Sequence, residues 1–216
     1  NRVQFTPDLM PADILGSEVL ETAESGSRHF KFIEGPIFCR LLMADEINRA
    51  SPRTQSALLQ AMQEHKVSIA GETRALSAPF HVLATQNPVE QEGTYPLPEA
   101  QLDRFLVQID IGYPDLSTEQ DILLATTGAG DAEAKQVFDP EKIMVMQDLI
   151  RRMPVGQKTI GFILHLVRAL RPHDASASEL VNDVVAWGPG TRAAQALILM
   201  CRAHALLNGH LAPSIA

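Results

Sequence analysis

The chain has 216 residues, of which 45% are hydrophobic and 20% charged, and its 18 basic and 26 acidic side chains give a net charge of −8. This balance excludes a disordered or collagen-like chain, no apolar run is long enough to span a bilayer, and nothing near the start reads as a signal peptide. Two cysteines, Cys39 and Cys201, exclude a disulfide framework and a cysteine zinc cluster, and make the reducing cytosol the expected compartment.

Asn1 opens directly into a strand pattern, without cap or tail, and residues 211–216 stop without a closing element. The chain therefore reads as an interior piece of a longer protein. Residues 3–6 are short and β-prone. Residues 17–33 place two β-prone runs around Ser25-Gly26-Ser27 and predict a hairpin. Residues 41–44 form a short apolar run that fits a buried strand. Ser51-Pro52 then joins a capping residue to a proline at the first helical position, and Leu58, Leu59 and Met62 recur at helical spacing. A second hairpin is expected over residues 66–76, around Ala70-Gly71-Glu72. Two further apolar runs, 80–85 and 105–109, read as strands. Strands interleaved with helices predict an α/β domain with a mainly parallel sheet.

Residues 127–135 read as a linker. From Asp139 the pattern is helical only. Asp139-Pro140 caps a helix running toward Met153, a second spans about 159–170, and a third runs from Ser178 toward Trp187. A fourth follows Gly188-Pro-Gly190, with Thr191 as its expected cap. Two domains follow, 1–137 as an α/β core and 138–216 as a small helical lid. Met144, Met146 and Met153 are expected in the core, and both cysteines as small buried hydrophobes. Residues 1–138 carry 10 basic and 20 acidic side chains, which disfavours a general nucleic-acid role.

Four places offer chemistry. Asp45 and Glu46 close an apolar strand, at the carboxyl edge where open parallel sheets bind ligands. One carboxylate there can hold Mg²⁺ and the other accept a proton from an attacking water. The same pair also reads as an acidic helix cap. Asn87 ends the 80–85 run and can hold a water or phosphate oxygen on the same edge, or simply form a turn before Pro88. Arg104 follows a short helical segment and can reach a neighbouring subunit's nucleotide, or pair locally with Glu99 or Asp103. Arg192 is a cation in the first turn of a helix, against the helix dipole, where a bound phosphate would reconcile the two. A phosphate-cradling GxxxxGK[ST] loop is missing, because no Gly-Lys pair occurs in the chain.

Three runs carry a resemblance over nearly the whole chain. They are residues 4–16 (Gln-Phe-Thr-Pro-Asp-Leu-Met-Pro-Ala-Asp-Ile-Leu-Gly), residues 44–49 (Ala-Asp-Glu-Ile-Asn-Arg), and residues 84–105, which end in Gln-Leu-Asp-Arg-Phe. The sequence resembles the MoxR family of AAA+ ATPases. By that resemblance Asp45 and Glu46 match the Walker B pair, with Asp45 toward Mg²⁺ and Glu46 polarising the attacking water. Asn87 matches sensor one, Arg104 the arginine finger acting on a neighbour's ATP, and Arg192 the sensor-two arginine of the lid. The 17–33 hairpin looks like the helix-two insert and the 66–76 hairpin like the pre-sensor hairpin, loops that face the pore or client in related rings.

The resemblance implies ATP and Mg²⁺ as cofactors and a homo-oligomeric, hexameric ring. It also implies remodelling or maturation of partner proteins, including von Willebrand factor A domain proteins and metal-cofactor enzymes. Without the phosphate loop, which the family carries just before the segment where this chain begins, the fragment alone is expected to bind ATP poorly and to be inactive. Two alternatives stand beside this reading. A nucleic-acid motor like the MCM helicases shares both hairpins, but Glu64 and Glu72 offset Lys66 and Arg74. A non-catalytic scaffold would have no need to keep Asp45, Glu46, Asn87, Arg104 and Arg192 together.

Overall fold

Along the chain, β1 (Arg2–Gln4) leads through α1 (Pro11–Leu15) into a hairpin of β2 (Gly16–Thr22) and β3 (Arg28–Glu34). Next come β4 (Leu41–Asp45), one 3-10 turn (Ile47–Arg49) and α2 (Pro52–Glu64), then a second hairpin, β5 (Lys66–Ile69) and β6 (Glu72–Ala75), and β7 (His81–Ala84). The remainder is helical: α3 (Glu99–Leu102), α4 (Leu116–Thr127), α5 (Pro140–Arg152), α6 (Gln157–Ala169), α7 (Glu179–Val184) and α8 (Thr191–Leu207). This computed structural model describes residues 1–22, 27–88, 93–128 and 135–215.

β4 lies between β1 and β7 and is parallel to both, with Val3 opposite Ala44 and Met43 opposite Leu83. All three strands therefore end on one edge. The short apolar run of β4 suits this central position, since Leu42 and Ala44 are fully buried. α2 starts as its sequence requires, with Ser51 Oγ accepting the Thr54 N–H at 3.3 Å and Pro52 in the first turn. Its apolar side places Leu58, Leu59 and Ala61 in one core with Phe5, Ile14, Ile37, Leu42 and Ile47.

The strand pairs of both expected hairpins form, and of the first expected turn Ser25 and Gly26 lie outside the described residues. The first is pinched at its neck by Gly16 and Gly35. A Cβ on Gly16, whose φ is +97°, would stand 2.3 Å from the Ile33 carbonyl oxygen, and one on Gly35 2.2 Å from that of Ile14. Only glycine permits this approach. The two hairpins touch where the Arg74 guanidinium lies 4.1 Å above the Phe32 ring.

Several expectations are corrected. Residues 105–109 form no strand. Among the described residues no strand edge lies beside them to complete a ladder, and Val107 and Ile109 are exposed. Thr191 is the first residue of α8 rather than its cap. Gly190 holds the cap position without a side-chain bond. α7 ends at Val184, short of Trp187, which is exposed. Met153 is buried, but Met144 and Met146 face outward on α5. Cys39 and Cys201 are half-buried free thiols. Of the expected linker, residues 129–134 lie outside the described residues, and α4 runs through Thr127.

The helical part packs α5 and α6 against α8, around buried Ile163, Val167 and Ala194. Gly188 sits on Arg171 and Pro172, and Arg171 Nε donates to the Pro189 carbonyl at 2.8 Å, which fixes the approach to α8. Among the described residues no helix is long and apolar enough to cross a membrane.

Candidate active site

Asp45 ends β4 with its side chain almost wholly buried. A carboxylate in that position needs partners. Arg2 Nε bonds Oδ2, and Thr85 Oγ1 donates to Oδ1 at 3.3 Å. Glu46 follows in the left-handed region, φ 55° and ψ 49°, an uncommon conformation for a residue with a Cβ. This turn is anchored to the end of β7, because the Glu46 N–H donates to Thr85 Oγ1 at 2.9 Å and the Ile47 N–H to the Thr85 carbonyl at 3.0 Å. The Glu46 carboxylate accepts from Gln4 Nε2 at 2.6 Å and from Arg49 Nη1 at 3.1 Å, both on Oε2.

The parallel register accounts for this meeting. β1, β4 and β7 deliver Gln4, Asp45-Glu46 and Thr85 to the same edge. Asn87 arrives there too, and its carbonyl accepts from Asn48 Nδ2 at 3.4 Å. Thr85 is the residue that sequence reasoning passed over. It lies in the same run as Asn87, but only the register of β7 against β4 shows that its hydroxyl meets Asp45 and Glu46.

The two arginines lie elsewhere. Arg104, just after α3, and Arg192, in the first turn of α8, line one shallow recess with Met62 and Gln63. Arg192 Nη1 is 3.8 Å from Asp103 Oδ2, which offsets the unfavourable placement of a cation at a helix start. Arg104 is exposed and has no ion-pair partner among the described residues. Gln55, whose amide bonds the Ile47 carbonyl beside Glu46, is seven residues before Met62, so the recess lies about 10 Å along α2 from the level of that turn. The structure thus brings Asp45, Glu46 and Asn87 together beside the first half of α2, and Arg104 and Arg192 together beside its last turn.

The donors at the acidic end are a carboxylate and a hydroxyl. Oxygen donors of this kind suit a hard cation, and no group of three His, Cys, Asp or Glu that could enclose a metal occurs among the described residues. The set fits Mg²⁺, which keeps most of its shell as water and phosphate oxygens and takes one or two ligands from protein.

Comparison with known proteins is consistent with this geometry. Residues 1–107 match the model for the ATPase family associated with various cellular activities (AAA). The chain is 40% identical to Chaperone MoxR1 of Mycobacterium tuberculosis over 209 residues, covering 97% of this chain and 54% of that protein. It is also 40% identical to protein YeaC of Bacillus subtilis over 208 residues, covering 96% of this chain and 61% of YeaC. A crystal structure from Cytophaga hutchinsonii superposes with a TM-score of 0.88 at 36% identity, covering 99% of this chain and 64% of that one. The chain thus spans between half and two thirds of the length of these relatives.

Proposed function

This chain belongs to the MoxR family of AAA+ ATPases, and on that premise we propose that the protein hydrolyses ATP at a site shared between two copies of itself. The observation that carries the reading is that the acidic cluster lies beside the first half of α2 and the arginine recess beside its last turn. Neither cluster is sufficient alone. When copies associate head to tail, the Arg104–Arg192 recess of one meets the Asp45–Glu46 turn of the next.

In this reading Asp45 and Thr85 would hold Mg²⁺, which would neutralise phosphate charge when bound. Glu46 accepts the proton of the attacking water. Asn87 orients that water or a phosphate oxygen. Arg104 stabilises the charge that develops on the transferred phosphoryl group. Arg192 serves the same nucleotide as Arg104, the neighbour's. Head-to-tail association closes into a ring, a hexamer by family resemblance. Since residues 1–216 hold no Gly-Lys pair, they bind ATP weakly by themselves.

The energy is used to remodel or mature partner proteins, among them von Willebrand factor A domain proteins and metal-cofactor enzymes, a chaperone-like role supported by the similarity to MoxR1. Exposed Leu20 and Phe30, opposite each other on the first hairpin, suit contact with a protein client. Nucleic acid is a poorer fit. Lys66 and Arg74 on the second hairpin are already paired with Glu64 and Glu72, at 4.0 and 2.5 Å. The free thiols agree with a reducing, cytoplasmic setting.

The test is complementation between two inactive variants of the complete protein. Glu46→Gln and Arg104→Ala each lower kcat by at least about a hundredfold. Mixed in equal amounts and reassembled, they regain about a quarter of wild-type turnover, the random share of interfaces with both residues intact. Mixed rings that recover nothing would overturn the shared site.

A further inference from the structure

Gln55 lies in the middle of the first half of α2 and is 1% exposed. A buried amide must satisfy its hydrogens, and Gln55 Nε2 uses both. One bond goes to the Ile47 carbonyl at 3.1 Å, the other to the Tyr95 carbonyl at 2.8 Å. Ile47 follows Glu46 directly. Tyr95 lies beyond Asn87 on the same connection, and its N–H returns to the Asn48 carbonyl at 2.6 Å. Asn48, itself buried, reaches the Asn87 carbonyl through Nδ2, while its Oδ1 finds no donor among the described residues. Three segments thus form one closed circuit: the Glu46 turn, the connection after β7, and α2.

We propose that Gln55 is a positioning residue for hydrolysis, holding the Glu46 turn in register with the segment that carries Asn87. The inference rests on the roles given above to Glu46 and Asn87. The left-handed backbone at Glu46 makes such support necessary. Thr85 holds that turn from the β7 side, and Gln55 is the only other side chain among the described residues that bonds its main chain from α2. A side chain that touches no reacting atom here still sets where the proton acceptor sits. Small displacements of a catalytic group lower the rate while leaving substrate binding in place.

Two variants of the complete, assembled protein test this. Gln55→Met keeps the volume and removes both donors. It is expected to lower kcat about tenfold or more with KM for ATP within about twofold, measured well below the variant's Tm. Gln55→Glu keeps the shape but donates only when protonated, so its kcat should rise relative to wild type as the pH is lowered. It also serves as the test if the methionine variant fails to assemble. A merely structural amide predicts a lower Tm, unchanged kcat in the folded fraction and no new pH dependence, and that result would overturn the proposal. Glu46→Gln is measured in parallel. If it retains full turnover, the reading of Glu46 fails. If it is inactive while both Gln55 variants keep wild-type kcat, only the positioning role fails.

Discussion

The α/β part and the helical part bury their apolar residues very differently. Among the described residues the first gathers fourteen buried hydrophobics into one cluster that includes β4, α2 and both hairpin roots. The second centres on three, Ile163, Val167 and Ala194. The acidic end of the candidate site is thus built on a dense core, where buried Asp45 and Gln55 are fixed by many neighbours. Arg192 is carried by α8, which packs around the smaller cluster. Under the proposed ATP hydrolysis, the dense part would define where chemistry happens and the sparse part would be the less firmly held one.

The largest expected effect comes from breaking the dense part. Leu58→Ala leaves a cavity at a fully buried position and should cost about 3 kcal/mol. Thermal unfolding should show it as a fall in the main transition. Ile163→Ala should cost less, about 2 kcal/mol, because its sparse surroundings collapse more easily. Hydrogen exchange should then rise in α6 and α8 and not in β4. Equal loss of protection in β4 would show that the two regions unfold as one unit, and the contrast drawn here would fall.

The smallest effect sharpens the comparison through pH. Asp174 is held below the ordinary carboxylate value by the Ser176 amide N–H and hydroxyl, with Arg168 adding to them. A depressed folded value means that its contribution is present above the unfolded value near 3.8 and is lost as pH falls through the folded one. Asp174→Asn should therefore remove an acid-side increase in exchange between α6 and α7 while leaving the α/β part unchanged. An identical acid response in the variant would assign that loss to other groups.

Local patterns made much of the fold legible. Ser51-Pro52 and Asp139-Pro140 marked real helix starts, and the Gly71 turn marked the second hairpin. Residues 105–109 misled because an apolar run states only that it wants burial, whereas a strand also needs a neighbouring edge. Helix α1, only five residues long, lacks the length to show a period. At the site, the acidic pair, Asn87 and both arginines were singled out from residue type, context and family resemblance, and the structure gives their positions while their roles remain those proposed above. Thr85 and Gln55 were not singled out. Each matters through bonds to residues about forty positions away or through a main-chain carbonyl, and neither kind of partner leaves a trace in residue type. The separation of the arginines from the acidic turn was equally hidden, since it depends on which part of α2 each segment reaches.

The glycine neck of the first hairpin has a consequence for engineering. Because the backbone at Gly16 and Gly35 is already in contact, the ends of the intervening segment meet whatever its length. Residues added between β2 and β3 lengthen a segment whose closure is fixed at the base, so the added length costs little. The insert is therefore a natural cassette: it can be lengthened, exchanged for another family member's, or replaced by a peptide epitope, with the neck glycines left in place. If the hairpin meets a protein client as proposed, grafting at this site would redirect that contact while leaving the core beneath it unchanged.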